Sequence, residues 1–131
     1  PAWFNEGLAS LYEQCEERGE QVAGLTNWRL KGLQQKIQAG NLVSFKTLMS
    51  TGAVQFYGMD KGDNYAQARY LCYYLQEKQL LVPFYHAFIK NVKNDPAGYQ
   101  TLKNILDIQT EEEMNDFQGR WEKWVLDLRF P

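Results

Sequence analysis

Residues 64–75 read NYAQARYLCYYL. Tyr65, Ala68, Tyr70, Leu71, Cys72, Tyr73, Tyr74 and Leu75 take successive positions around a helical wheel, so apolar and aromatic side chains surround the axis. A helix apolar on most of its sides has no solvent face of its own and belongs at the centre of an all-α fold. Asp63 or Asn64 offers the N-cap oxygen, and the helix is expected from Tyr65 to about Leu80.

Helical periodicity continues on both sides. PAWFNEGLASLYEQC (1–15) sets Phe4, Leu8, Leu11, Tyr12 and Cys15 on one stripe of a helix expected from Ala2 to Arg18. A glycine-bearing break follows at Gly19 to Gly24. A second helix starts near Asn27, turns Leu30, Leu33 and Ile37 inward, and stops at Gly40-Asn41. SFKTLMS (44–50) reads as a short helical turn. TGAVQFYGMDKGDN (51–64), with three glycines, reads as a loop holding at most a brief extended piece. Downstream, Pro83 suits the first turn of a helix with Phe84, Tyr85, Phe88, Ile89 and Val92 inward. Asp95-Pro96 opens a short helix through Leu106. Thr110 and Glu113 form a capping box, and Met114, Phe117, Trp121, Trp124, Val125 and Leu128 line the last helix. No fixed period recurs, which excludes a solenoid. The expectation is a single all-α helical bundle over residues 1–131 with little or no sheet.

Composition agrees with a folded domain. Apolar residues make up 44% of the chain and aromatics 15%, too rich for global disorder. Fourteen basic and sixteen acidic residues leave a net charge of −2, which argues against nucleic acid as a partner. No apolar run reaches the length of a membrane span. Cys15 and Cys72 lack metal-binding spacing; they either pair or are ordinary thiols, since both lie on helices expected to approach each other.

Glu6 is the odd residue of the first helix. It lies opposite the Phe4/Leu8/Leu11/Cys15 stripe, where a glutamate in a first turn is solvated and favoured by the helix dipole. Yet Ala2, Ala9 and Ser10 share its side and allow another helix to come close, and Trp3 and Phe4 point to different faces. Both sides of this helix are therefore expected to be covered. Tyr65, by composition, reads as core. His86, the sole histidine, points away from Phe84, Tyr85, Phe88 and Ile89 and reads as a surface residue. Glu111, Glu112 and Glu113 compensate a helix dipole.

PAWFNEGLASLYE resembles the third-ligand segment of the gluzincin zinc peptidases, the peptidase-MA-like superfamily. That segment carries a W-x-x-E-G-[LF]-A pattern, matched here at Trp3, Glu6, Gly7, Leu8 and Ala9. NYAQARYLCYYL is similar to the later helix of the same superfamily, with Tyr65 at its leading tyrosine. The aromatic tail through Trp121 and Trp124 is similar too, so the resemblance spans nearly the whole chain and is nearest to poorly characterised bacterial members. It implies that Glu6 is one of three zinc ligands, that Tyr65 donates a hydrogen bond to the transition-state oxyanion, and that Ser10 supports a ligand histidine. It also implies export from the cell and a peptide or protein substrate. The family's H-E-x-x-H is missing from this chain. The resemblance therefore implies the C-terminal part of a zinc-dependent metallopeptidase, whose upstream half would supply the histidines. The chain as it stands is expected neither to hold zinc tightly nor to cleave peptides. Glu6 and the Tyr65 hydroxyl should then share one concavity, within about 10 Å. A second reading is a non-catalytic helical module that binds a peptide or partner protein through aromatic grooves.

Overall fold

A computed structural model of the chain describes residues 1–58 and 61–131. Eight helices and one two-stranded hairpin follow in the order α1 (Ala2–Leu11), β1 (Cys15–Arg18), β2 (Gln21–Gly24), α2 (Arg29–Gln38), α3 (Phe45–Ser50), α4 (Ala53–Phe56), α5 (Lys61–Glu77), α6 (Leu81–Asn91), α7 (Tyr99–Ile105) and α8 (Glu111–Leu126). The fold is all-α.

The expected centre is the centre. From Ala66 to Tyr73 every residue of α5 is buried, Arg69 included. The helix begins at Lys61 rather than Tyr65, which places Asp63 inside the first turn, where it pairs with Lys36 of α2 at 3.1 Å. It ends where Gln79 turns left-handed (φ 61°) and Leu80 N–H donates to Leu75 O at 2.7 Å.

α1 lies along α5. Gly7 makes the approach possible: a Cβ there would sit 2.8 Å from Cys72 Sγ and 2.9 Å from Ala68 O. Ser10, also on this face, is buried. The small residues that sequence reads as a seat for another helix are thus partly a seat for α5, while Ala9 stays exposed. Trp3 is fully buried, donates Nε1–H to Ala97 O at 2.7 Å, and packs with Phe4 and Phe84, which both meet Phe88. On the far side of α5, Trp121 of α8 donates to Tyr70 O at 3.2 Å and meets Phe45 edge-on.

Helix α1 stops at Leu11, not at Arg18. The chain turns instead into an antiparallel hairpin, Cys15↔Gly24 to Arg18↔Gln21, closed by Gly19-Glu20 with Gly19 at φ 64°. Two side chains of α5, buried Arg69 and half-buried Gln76, cap these ends. Arg69 donates to Ser10 O (2.7 Å), Leu11 O (2.9 Å) and Leu25 O (2.5 Å), taking up C-terminal carbonyls of α1. Gln76 bonds both backbone groups of Gly24, at 2.8 and 2.9 Å. Neither cysteine pairs: Cys15 is exposed on β1 and Cys72 is buried under Gly7.

Residues 53–56, expected as loop, form the single turn α4. The same expected loop includes Met59 and Asp60, which lie outside the described residues. The α3 and α8 starts form as the sequence indicates, capped by Ser44 and Thr110; Glu113 reaches back to Gln109 N–H rather than to Thr110. In α6 only Phe84 and Phe88 are buried. Tyr85, Ile89 and Val92, expected inward, are exposed, because α5, α7 and Phe4 of α1 cover only one side of this helix.

Candidate functional site

Glu6 stands half-buried on the one turn of α1 that is fixed on two sides. Trp3, one turn earlier, anchors the helix in the aromatic cluster; Gly7, next in sequence, holds it against α5. Between these anchors the Glu6 carboxylate reaches outward to α4. Tyr57, the residue after α4, donates its hydroxyl proton to Glu6 Oε1. Among the described residues Oε2 takes no hydrogen bond. Tyr57 is held from behind by Phe56, fully buried, whose ring meets it edge-on at 5.7 Å.

Tyr65 joins this cluster from α5. Its ring stands 5.5 Å from Phe56 and 6.2 Å from Tyr57, both edge-on. The Arg29 guanidinium covers the Tyr65 ring at 5.3 Å. Arg29 is fixed by a two-pronged bond to Glu13, Nε to Oε1 at 2.8 Å and Nη2 to Oε2 at 3.0 Å. Asn27, completely buried, donates its side-chain amide to the same Glu13, and its backbone N–H donates to the Tyr70 hydroxyl.

The electrostatics follow from these bonds. Donation to Glu6 pushes the Tyr57 hydroxyl up to about 12, because ionising it would set a phenolate against a carboxylate. Burial raises Tyr65, and the Glu6 charge raises it further. The hydrogen bonds from Arg29 lower Glu13. Both phenols are therefore protonated donors at neutral pH, beside a carboxylate with one oxygen open.

The structure thus brings Glu6 and Tyr65 into one cluster, with Tyr57 between them. Ser10 does not join it. It is buried, and its hydroxyl donates back to its own helix, to Glu6 O at 2.7 Å and Gly7 O at 3.3 Å. His86 is exposed on α6. Tyr57 and Arg29 were invisible as site residues in the sequence. Tyr57 lay in a segment read as loop, and Arg29 carried no signal of its own; only α4 and the start of α2 carry them to Tyr65. A separate cleft of about 550 Å³, between the hairpin and the start of α6, is lined by Tyr12, Arg18, Val22, Gln76 and Val82, and by none of Glu6, Ser10 and Tyr65.

A catalytic zinc takes three protein ligands. Among the described residues no three His, Cys, Asp or Glu side chains converge on a metal-sized site. Glu6 offers one carboxylate oxygen, and the described residues do not complete a three-ligand zinc site. No helix among the described residues is long and apolar enough to cross a membrane. Comparison with protein-family models, with curated proteins and with solved structures found no match.

Proposed function

We propose that this chain is the helical part of a gluzincin-like zinc peptidase, with Glu6 as one zinc ligand of three and histidines from a segment outside this chain as the other two. One observation carries the reading. The Glu6 carboxylate has one oxygen held by Tyr57 and one free of hydrogen bonds among the described residues, with the Tyr65 ring edge-on to Tyr57. A ligating carboxylate is ordinarily fixed in this way, one oxygen on a second hydrogen-bonding partner and the other free for the ion. When bound, zinc would supply an activated water for hydrolysis of the peptide bond.

The chain's own residues then divide the remaining work. Trp3 and Gly7 fix the height of α1, and so the position of Glu6. Tyr57 selects which carboxylate oxygen is open. Tyr65 keeps its proton through neutral pH and donates to the oxyanion that develops on the substrate carbonyl. Arg29, stacked on Tyr65 and clamped by Glu13, limits the swing of that ring.

The test begins with the coding sequence ahead of Pro1, which should encode H-E-x-x-H. The protein produced with that segment should contain about one zinc per chain. Glu6→Gln should lose the metal. Tyr65→Phe should keep it while kcat falls about 10²- to 10³-fold. Absence of the motif, or full zinc content in Glu6→Gln, would overturn the reading.

A further inference from the structure

Helix α6 buries one stripe and leaves a second uncovered. Phe84 and Phe88 face the core, whereas Val82, Tyr85, Ile89 and Val92 are 61, 45, 51 and 39% exposed. Their spacing runs i, i+3, i+7, i+10, so the four form one line along the helix. Counting cap residues, no other helix among the described residues carries more than two large exposed apolar side chains. The line is rooted in the core, since Tyr85 stacks on Phe4 with ring centroids 6.3 Å apart. It is not frayed surface.

The ridge next to it is basic. His86, Lys90 and Lys93 are all exposed and follow the same period one step around the helix. From Leu81 to Asn94 there is no acidic residue, and among the described residues neither lysine pairs with a carboxylate. An apolar line with an uncompensated cationic edge specifies its complement: apolar residues at helical spacing, flanked on one side by carboxylates.

We propose that the outer face of α6 docks an acidic amphipathic helix of a partner protein, with Val82, Tyr85, Ile89 and Val92 taking its apolar stripe and Lys90 and Lys93 its carboxylates. The surface does not depend on the zinc reading. A second copy of the chain fits it less well. The exposed helical stripe a copy offers is α6 itself, and antiparallel pairing sets one lysine ridge against the other. Its acidic run Glu111–Glu113 opens α8, whose apolar stripe is already buried. An anionic membrane fits less well too, because two lysines fall short of the four to eight cations such binding uses, and the chain carries a net −2.

The probe is a synthetic 18-residue helical peptide with leucines at i, i+3 and i+7 and glutamates on the flanks, compared with its lysine-flanked twin. Fluorescence anisotropy of the labelled peptide reads binding to the full chain. The glutamate peptide should bind saturably, more weakly at high salt, and the lysine peptide at least about tenfold less tightly. Ile89→Ser, at an exposed position that leaves the core intact, should weaken binding about tenfold, and Lys90→Glu with Lys93→Glu should reverse the preference between the two peptides. Circular dichroism confirms that both variants stay folded. Equal binding of the two peptides, no saturable binding, or unchanged binding by Ile89→Ser overturns the proposal. So does sedimentation with vesicles containing anionic lipid in place of peptide binding, or an α6-dependent dimer of the chain alone.

Discussion

Gly7→Ala tests the packing that fixes Glu6. In an open helix this substitution is stabilising, by about 1 kcal/mol, because alanine loses less backbone entropy on folding. Here the new methyl would lie 2.8 Å from Cys72 Sγ and 2.9 Å from Ala68 O, against the 3.5–4.0 Å of an ordinary contact. The thiol can rotate, but Ala68 O belongs to the backbone of α5 and is held in its helix. Relief requires α1 to lift by roughly half an ångström or more, which loosens the Arg69 bonds to Ser10 and Leu11. Overpacking of this kind costs about 1–3 kcal/mol. The sum is a net destabilisation of about 1 kcal/mol, a fall in Tm of about 4 °C at this chain length. Gly119, inside α8, provides the contrast. A Cβ there meets nothing within 4 Å, so Gly119→Ala should raise stability by up to about 1 kcal/mol. Urea unfolding of the two variants beside wild type should place them on opposite sides of it. Adding Cys72→Ala to Gly7→Ala should recover part of the steric cost and no more, because the Ala68 carbonyl remains. A Gly7→Ala protein as stable as Gly119→Ala would refute the close approach of α1 and α5, and with it the physical reason for glycine beside Glu6.

Two further perturbations address the network around the site. Arg69→Met should cost about 3–5 kcal/mol in chemical denaturation, because two buried carbonyls and a half-buried one lose their donor; a loss below 1 kcal/mol would mean that solvent reaches them instead. Tyr57 has a raised hydroxyl pKa in the folded state, so its stabilising bond to Glu6 is fully present below pH 10 and lost as pH climbs through about 12. Wild type should therefore exceed Tyr57→Phe in stability at pH 8, and the gap should close between pH 10 and 12. A gap constant with pH would place the hydroxyl away from the carboxylate.

Much of the fold is written locally. The all-round apolar run at 65–75 makes α5 central whatever else the chain does, since no orientation of such a helix satisfies its side chains at a surface. Ser44 and Thr110 mark helix starts because an N-cap bond involves residues only three apart. Gly40 ends α2 in a left-handed turn for an equally local reason. The hairpin was illegible because β1 is exposed along its whole length and β2 buries two consecutive residues, so neither shows the alternation that marks a half-buried strand.

The site divides along the same line. The sequence by itself determined that Glu6 and Tyr65 stand on separate helices, Glu6 off the apolar stripe of α1 and Tyr65 near the start of α5. Only the tertiary structure decided what they meet: Tyr57 carried in by α4 to hold one Glu6 oxygen, Arg29 laid over Tyr65, and Ser10 turned back on its own helix. It also decided that one of the two apolar stripes of α6 has no cover. Periodicity states which side chains share a face, because that depends on residues three and four apart. It does not state which face is covered, because covering is done by residues far away in the chain, and α6 offers two faces of similar apolar character.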